Sequence, residues 1–230
     1  VKHAAPMLRT MGQVVSEAGD YFNNIAVFAL AMETTGSGLV VSAVMLSRAI
    51  PAALAGPVAG VVLDRFDRKR IMIASDVIRA VVALAFILTV RYHEAWLLYL
   101  LSALLMFAST FFTSGRAAIL PAIASQEELH TANSLTQTTQ WATLVAGTML
   151  GGLSVAKFGY QWAFILNALS FLFSAGAISL LRVKKSGLHA QPAGPLRPWQ
   201  EYREGLRYMR SVPLVMGIGL LSVGWSLGGG

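Results

Sequence analysis

The sequence predicts an all-α integral membrane protein, built as a bundle of six transmembrane helices. Of the 230 residues, 55% are hydrophobic and only 13% are charged, whereas a soluble domain has about 25% charged residues. Apolar segments long enough to cross a bilayer recur along the chain, separated by short polar or charged stretches. Lys and Arg cluster in alternate connections, as expected of a chain that crosses the bilayer repeatedly.

Composition also argues against other classes of protein. The net charge of +7 comes from cations in loops on one side, so it does not indicate binding to nucleic acid. The chain has no Cys, and its four His residues form no ligand cluster, so we expect no disulfide framework and no metal site. No Ser stands in a nucleophile context. We therefore expect no enzymatic activity and no cofactor.

The first predicted span covers residues 13–32, after a polar lead-in, and it carries a stripe of polar side chains. Four of them recur at helical spacing on one face: Gln13, Glu17, Asp20 and Asn24. A charged side chain at the bilayer centre costs about 2.5–3.5 kcal/mol on the insertion scale. We therefore expect this stripe to face protein or a water-filled cavity, not lipid.

The second predicted span, residues 38–63, contains one deep cation, Arg48. In an antiparallel hairpin, the rise per residue brings Arg48 and Asp20 close to one level. We therefore predict an ion pair between Asp20 and Arg48 near the midplane. Such a pair could serve only to fix the first helix against the second, or it could take part in coupling, and both interpretations remain open.

The segment 60–70, GVVLDRFDRKR, is the most charged stretch of the chain, and apolar runs enclose it. A short basic loop between two spans lies at the membrane surface, on the cytoplasmic side by the positive-inside rule. Asp64 can pair with Arg68, and Asp67 can cap the helix that begins near Arg68. Gly60 would let another backbone approach closely. Alternatively, the loop is only a topological anchor.

The third and fourth predicted spans cover residues 71–90 and 95–113. Asp76 and Arg79, near the inner end of the third span, are expected to pair with each other or to extend toward the interior surface. Arg116 ends a weakly polar stripe on the fourth span and begins a connector on the cytoplasmic side.

The fifth and sixth predicted spans cover residues 131–156 and 161–181. Amides share one face of the fifth span: Asn133, Gln137 and Gln140. Small residues that suit close helix packing follow on the same span: Gly147, Gly151 and Gly152. Polar residues also share one face of the sixth span: Asn167, Ser170 and Ser174.

Three parts of the chain are predicted: a six-helix bundle over 1–182, a cytoplasmic linker over 183–212, and the start of a seventh helix over 213–230. The linker contains a segment with amphipathic spacing that suits the inner leaflet surface, marked by Trp199, Tyr202, Leu206 and Met209. The seventh apolar run stops without a flank, so we interpret the chain as an N-terminal fragment.

Cation counting predicts the orientation. Arg91 and Lys157 fall in outer turns, whereas Arg48 and Arg79 fall inside spans. The other fourteen of the 18 Lys and Arg residues fall on one side: Lys2, Arg9, Arg65, Arg68, Lys69, Arg70, Arg116, Arg182, Lys184, Lys185, Arg197, Arg203, Arg207 and Arg210. The N-terminus is therefore predicted to be cytoplasmic.

These motifs carry a resemblance to a known family. The run Gly60, Asp64-Arg65 and Arg68-Lys69-Arg70 resembles the loop between helices 2 and 3 of the major facilitator superfamily. Asp67 replaces the usual glycine, and this variant is similar to drug exporters of the macrolide-efflux and enterobactin-exporter type. The glycines of the fifth span resemble the G-P-x-x-G-G signature of proton-driven antiporters, with Thr148 in place of proline. The likeness covers essentially the whole chain, which corresponds to the first half of such a protein.

The resemblance implies an architecture and an activity. Helices 1–3 and 4–6 would form a 3+3 inverted repeat, and a C-terminal half of six helices is missing from this chain. The whole protein would be an efflux transporter of the bacterial inner membrane that works by alternating access. Its partners would be the lipid bilayer, the C-terminal half and a small-molecule substrate, either an amphipathic drug or a siderophore-like compound. The proton gradient, not a cofactor, would drive transport.

The resemblance and the polar stripes together define candidate site residues. The cytoplasmic gate motif comprises Gly60, Asp64, Arg65, Asp67, Arg68, Lys69 and Arg70. The proton-coupling or cavity set comprises Glu17, Asp20, Asn24, Arg48, Arg116, Asn133, Gln137 and Gln140. Protonation of Asp20 or Glu17 would be the coupling event. A non-transporting scaffold or truncated regulatory relative of the same fold is the alternative, and the residues do not exclude an importer.

Overall fold

The computed structural model describes residues 4–123 and 126–180, and then 203–204, 207, 210–214, 216–217 and 221. Side chains of the bundle are described over 15–118, at 134 and over 137–180. The chain divides into two units, residues 1–192 and residues 193–230. The amphipathic face predicted for the linker lies outside the described residues, and so does most of the predicted seventh helix.

In the described part of the first unit, six helices follow one another, joined by links of one or two residues: α1 (Ala4–Thr35), α2 (Gly38–Arg65), α3 (Arg68–Tyr92), α4 (Ala95–Ile123), α5 (Gln126–Phe158) and α6 (Tyr160–Leu180). Gly36 and Gly159 end α1 and α5 with φ of 65° and 82°. Their N–H groups donate to Met32 O and Val155 O, at 2.8 and 2.9 Å. This left-handed C-cap favours glycine, which has no Cβ to clash.

Five of these helices are long and apolar enough to cross a membrane: α2, α3, residues 95–118 of α4, residues 137–158 of α5, and α6. The sequence predicted six such spans. The exception is α1, which is 32 residues long but carries Glu17 and Asp20 in its central part. The all-α membrane bundle is thus confirmed, with one helix more polar than a simple span.

The helices pack in an order that differs from their order in the chain. α2 packs on α4, α4 on α3, α3 on α6, α6 on α1, and α1 on α5. Exchanging α1 with α4, α2 with α5 and α3 with α6 leaves this list of contacts unchanged. Because successive helices reverse direction at short links, α1 and α4 run in opposite directions. The packing is therefore the predicted inverted repeat of three plus three helices.

α3 and α6 form the centre of the bundle, whereas α2 and α5 form its flanks. In an apolar 18-residue stretch of each helix, 44% of the α3 stretch and 56% of the α6 stretch is buried. The corresponding shares are 11% for α2 and 22% for α5. Phe86 of α3 and Phe164 of α6 stack at the centre, with ring centroids 5.2 Å apart. The flanking helices keep large apolar side chains exposed, such as Leu54 and Met149.

A second small apolar cluster lies nearer the α2–α3 loop. Met72, Phe112 and Ile178 form it, one from each of α3, α4 and α6. Gly115 of α4 makes this contact close, because a Cβ added there would lie 2.7 Å from Met72 Cγ and 3.3 Å from Leu63 Cδ2. The cluster fixes the loop end of the bundle, where the gate motif lies.

Candidate functional site

The centre of the candidate site is an ion triad on α1 and α3. Arg79 Nη1 donates to Asp76 Oδ1 at 2.9 Å, and Arg79 Nη2 donates to Asp20 Oδ2 at 2.7 Å. The side chains of Arg79 and Asp76 are 3% and 0% exposed, whereas Asp20 is 31% exposed. One guanidinium therefore joins two carboxylates in the interior of the bundle.

Aromatic rings enclose the guanidinium of this triad. The Arg79 Cζ atom lies 3.9 Å from the centroid of the Phe171 ring on α6 and 5.0 Å from that of Phe112 on α4. A cation over an aromatic face is stabilised by the ring quadrupole, and more strongly where water is excluded. A buried ion pair also pays a desolvation penalty, so good geometry and additional partners are needed to hold it. The rings and both carboxylates supply partners for the terminal nitrogens of Arg79, whereas Arg79 Nε has no hydrogen-bond partner among the described residues.

The predicted Asp20–Arg48 ion pair is wrong. Asp20 bonds to Arg79 instead, and Arg48 lies over the Phe28 ring with its Cζ 5.9 Å from the centroid. Within the described residues, no carboxylate oxygen lies within 4.0 Å of a nitrogen of Arg48. The physical reason is that α1 packs mainly on α5 and α6, and only lightly on α2. Similar depth in the bilayer does not bring two side chains into contact when their helices pack only lightly on each other.

Of the two alternatives expected for Asp76 and Arg79, the first is confirmed, because the two residues pair with each other. The second terminal nitrogen of Arg79 bonds to Asp20 of α1.

A second charged cluster joins three helices through Glu17. Arg116 Nη1 of α4 donates to Glu17 Oε1 at 2.9 Å, and Gln140 Nε2 of α5 donates to the same oxygen at 3.3 Å. Glu17 and Arg116 are 19% and 21% exposed. The structure thus brings together three members of the predicted cavity set, one helical turn from Asp20.

The remaining residues of the cavity set are spread out. Asn24 is half-buried, and its Oδ1 atom has no hydrogen-bond partner among the described residues. Gln137 is exposed. The side chain of Asn133 lies outside the described residues. Among the described side chains, the amide stripe of α5 contacts the charged clusters through Gln140.

The close approach of α1 to α6 was not predicted from the sequence. A Cβ added at Gly19 would lie 2.1 Å from Ser170 Oγ and 2.7 Å from Asn167 Oδ1. Asn23 of α1 is also buried in this layer. The shared polar face of α6 was visible in the sequence, but its partner was not. Gly19, next to Asp20, was the available signal, because a glycine beside a buried charge allows close packing.

The segment that carries the gate motif, residues 60–70, is called the gate loop below. A helix cap and two cations hold it in place. Asp67 is the N-cap of α3, and its Oδ1 accepts a 3.1 Å hydrogen bond from the Arg70 N–H, as predicted. Arg68 Nη1 donates to Ala118 O at 3.0 Å, and Lys69 Nζ donates to Ser179 O at 2.7 Å. Cations at the C-terminal carbonyls of helices are favourable because of the helix dipole. The loop therefore ties the ends of α4 and α6 together.

Other gate residues face outward. The Asp64 side chain is 74% exposed. Its Oδ1 atom lies 3.8 Å from Arg68 Nη2, so the ion pair between them is weak. Arg70 is exposed and Arg65 is half-buried. A Cβ added at Gly60 would meet nothing within 4 Å in the described part of the chain. The close backbone approach expected at Gly60 is therefore not made by the described residues of the bundle.

The glycines of α5 differ in their surroundings. A Cβ at Gly147 would lie 3.0 Å from Tyr21 Cβ, and one at Gly151 would lie 3.2 Å from Phe22 Cα. Gly152 faces open space in the described structure. Two of the three glycines thus bring α5 close to α1.

As for metals, the described residues contain no group of three His, Cys, Asp or Glu side chains that could hold an ion.

Long apolar helices in an inverted repeat, with charges held inside them, define a helical membrane protein of the transporter class. Residues 10–229 match the family model of the Major Facilitator Superfamily, and the chain belongs to this family. The resemblance to its drug exporters is likewise confirmed by the curated relatives.

Three relatives illustrate that similarity. The uncharacterized MFS-type transporter YfiS of Bacillus subtilis (strain 168) is 31% identical over 215 residues, which are 91% of this chain and 50% of that protein. Macrolide efflux protein A of Streptococcus pyogenes is 25% identical over 91% of this chain and 53% of that protein. Multidrug efflux pump Tap of Mycolicibacterium fortuitum is 25% identical over 96% of this chain and 56% of that protein. The chain spans about half the length of the curated relatives it matches.

Proposed function

We propose that the whole protein exports amphipathic small molecules by alternating access and that inward proton flow drives the export. The observation that carries this proposal is the pair of α1 carboxylates, Glu17 and Asp20, each bonded to an arginine of a different helix. Charged residues inside membrane helices are costly, and they commonly mark ion or substrate pathways. The names of two relatives, a macrolide efflux protein and a multidrug efflux pump, support the direction and the class of cargo.

The charged clusters suggest how a proton could change the packing of α1. The carboxylate of Glu17 ties α1 to α4 and α5, and that of Asp20 ties it to α3. Hydrogen bonds to charged groups contribute about 1.5–3 kcal/mol each. A proton on either carboxylate removes its negative charge and weakens the bond to its arginine. Proton binding would therefore favour an arrangement in which α1 packs differently on its neighbours.

The gate loop would control the other side of the cycle. Arg68 and Lys69 hold the ends of α4 and α6, so the loop can move these ends as a unit. The exposed carboxylate of Asp64 and the open side of Gly60 would be available to a second half of the kind that the longer relatives have. In this proposal the loop lies at the cytoplasmic face of a bacterial inner membrane, and the N-terminus is cytoplasmic. The cation asymmetry of the sequence supports that orientation.

Transport by the full-length protein tests the proposal. Proteoliposomes carrying wild-type protein, Glu17→Gln, Asp20→Asn or the double variant would be given an imposed pH gradient, and uptake or release of a labelled macrolide would be followed. Glu94→Gln is a matched control, because Glu94 is exposed in the turn between α3 and α4. Loss of gradient-driven transport in the double variant, with the control unchanged, is expected. Equal transport by all variants would contradict the coupling role.

A further inference from the structure

The three members of the triad differ in their access to the surface. Asp20 is 31% exposed, whereas the Asp76 and Arg79 side chains are 0% and 3% exposed. A proton that arrives from an aqueous cavity therefore meets Asp20 first. Asp76 and Arg79 are sealed behind it, on one helix and three residues apart.

The charges of the triad do not balance. Two carboxylates share one guanidinium, so the triad carries one excess negative charge when both carboxylates are ionised. The second acceptor has a clear consequence. If Asp20 leaves Arg79, the guanidinium still has Asp76, and no unpaired cation remains in the interior. An unpaired buried charge would be strongly destabilising.

The other charged groups around Asp20 are held elsewhere or act from a distance. Glu17, one turn away on α1, is bonded to Arg116 of α4. Arg48 of α2 acts on Asp20 electrostatically without an ion-pair contact, and Tyr21 follows Asp20 on the same helix.

From the central helix α6, the described groups near the triad include the Phe171 ring and the Ser174 hydroxyl, and Asn167 and Ser170 lie beside Gly19. None of these four side chains carries a charge. On α5, the uncharged side chain of Gln140 donates its hydrogen bond to Glu17 and not to Asp20. The direct competition for Asp20 is therefore between Arg79 and a proton.

We propose that Asp76 and Arg79 form a permanent buried ion pair that serves as the docking site for the Asp20 carboxylate, and that a proton on Asp20 releases it from this site. This inference rests on the proton coupling proposed above. It adds Asp76, which was not among the coupling residues predicted from the sequence. In the step, one proton from the aqueous side adds to the Asp20 carboxylate, and the Arg79 Nη2 bond to Asp20 breaks. The Arg79 Nη1 bond to Asp76 remains. Asp76 is thus a positioning residue, and Asp20 binds the proton.

Carbodiimide labelling tests this inference without transport, because dicyclohexylcarbodiimide reacts with protonated carboxyl groups. Purified full-length protein in detergent would be labelled at mildly acidic pH, and the modified fraction of Asp20 would be read by peptide mass spectrometry. In Asp76→Asn, Asp20 becomes the sole carboxylate partner of Arg79 and stays ionised, so labelling of Asp20 should fall several-fold. In Arg79→Gln, Asp20 loses its cation, and labelling should rise several-fold.

The design contains its own controls. Glu17 in the same protein is an internal reference whose labelling should not change, and Glu94→Gln should behave as wild type. Arg79→Gln could fail to fold, so Asp76→Asn, which keeps one cation with one carboxylate, is the deciding variant. It is scored only on monodisperse protein. Unchanged or increased labelling of Asp20 in Asp76→Asn would overturn the docking site.

The labelling result and the transport result are separable. If Asp76→Asn lowers labelling while wild-type proteoliposomes show no gradient-driven export, the docking site stands and the exporter proposal fails. If export is driven by protons while Asp76→Asn leaves labelling unchanged, the exporter proposal stands and the docking site fails.

Discussion

Arg79 of α3 donates a 2.7 Å hydrogen bond to Asp20 of α1, across 59 residues of sequence. The bond joins two helices that are not neighbours in the chain, and its Arg79 end is buried. It also joins the first helix, which carries Glu17 and Asp20 in its central part, to one of the two central helices. Several properties of the protein should therefore depend on it.

Removing only the Arg79 cation should lower the stability of the protein more than removing all three charges of the triad. Arg79→Met leaves Asp76 buried without a partner, and breaking a buried ion pair from one side costs about 3–5 kcal/mol. The triple variant Asp20→Asn, Asp76→Asn and Arg79→Met has no uncompensated charge and should recover much of that loss. The yield of monodisperse full-length protein and its thermal unfolding midpoint measure both effects. A triple variant no better than Arg79→Met would contradict this reasoning.

The close approach of α1 to α6 should make Gly19 intolerant of a side chain. A Cβ there would lie 2.1 Å from Ser170 Oγ, so Gly19→Ala forces a shift and should destabilise by about 1–3 kcal/mol, as overpacking does. Gly176→Ala is the matched control, since a Cβ on that exposed residue of α6 meets nothing within 4 Å. It should be neutral or slightly stabilising through helix propensity. Thermal unfolding followed by tryptophan fluorescence distinguishes the two variants.

Gly151 and Gly152 of α5 should likewise differ in how well they tolerate a substitution by alanine. Gly151→Ala places a Cβ 3.2 Å from the backbone Cα of Phe22, which cannot rotate away. Gly152→Ala points into open space in the described structure and should leave the stability of the bundle unchanged. If Gly152→Ala in the full-length protein also lowers the unfolding midpoint, Gly152 contacts a part of the protein outside these helices. Equal tolerance of both substitutions would mean that α5 does not lie this close to α1.

The helix cap at Asp67 should obey the usual ranking of N-cap residues. Asp67→Ala removes the acceptor for the Arg70 N–H and should cost about 0.5–2 kcal/mol. Asp67→Ser keeps an acceptor and should cost little. Asp67→Gly, which restores the residue more usual in such loops, should cost only a few tenths of a kcal/mol. Unfolding midpoints that fail to rank Ala below Gly and Ser would show that the cap does not contribute to stability.

How much was predictable depends on whether a feature is local. The cap at Asp67, the pairing of Asp76 with Arg79, the inward contacts of Glu17 and Asp20 and the buried polar face of α6 follow from spacing along one helix, and all are present in the structure. The partner of Asp20 depends on which helices pack together. A hairpin of α1 and α2 was the natural assumption, but these two helices touch only lightly.

Close approaches were equally hidden from the sequence. Nothing in the spacing of Gly19 or Gly115 says which side chain fills the space beside it. The packing order of the helices places Ser170 against Gly19 and Met72 against Gly115. In the same way, Glu17 and Arg116 are 99 residues apart, and they meet because the inverted repeat brings α1 and α4 together at this point.

The most direct test of the account is the release of protons when substrate binds. Purified full-length protein in weakly buffered detergent solution, mixed with a macrolide in the presence of a pH indicator dye, reports whether binding displaces protons from carboxylates. The account predicts release by the wild-type protein and its loss in the Glu17→Gln, Asp20→Asn double variant, with macrolide binding itself retained. Release that persists undiminished in the double variant would contradict it, since the protons would then come from groups other than the two α1 carboxylates.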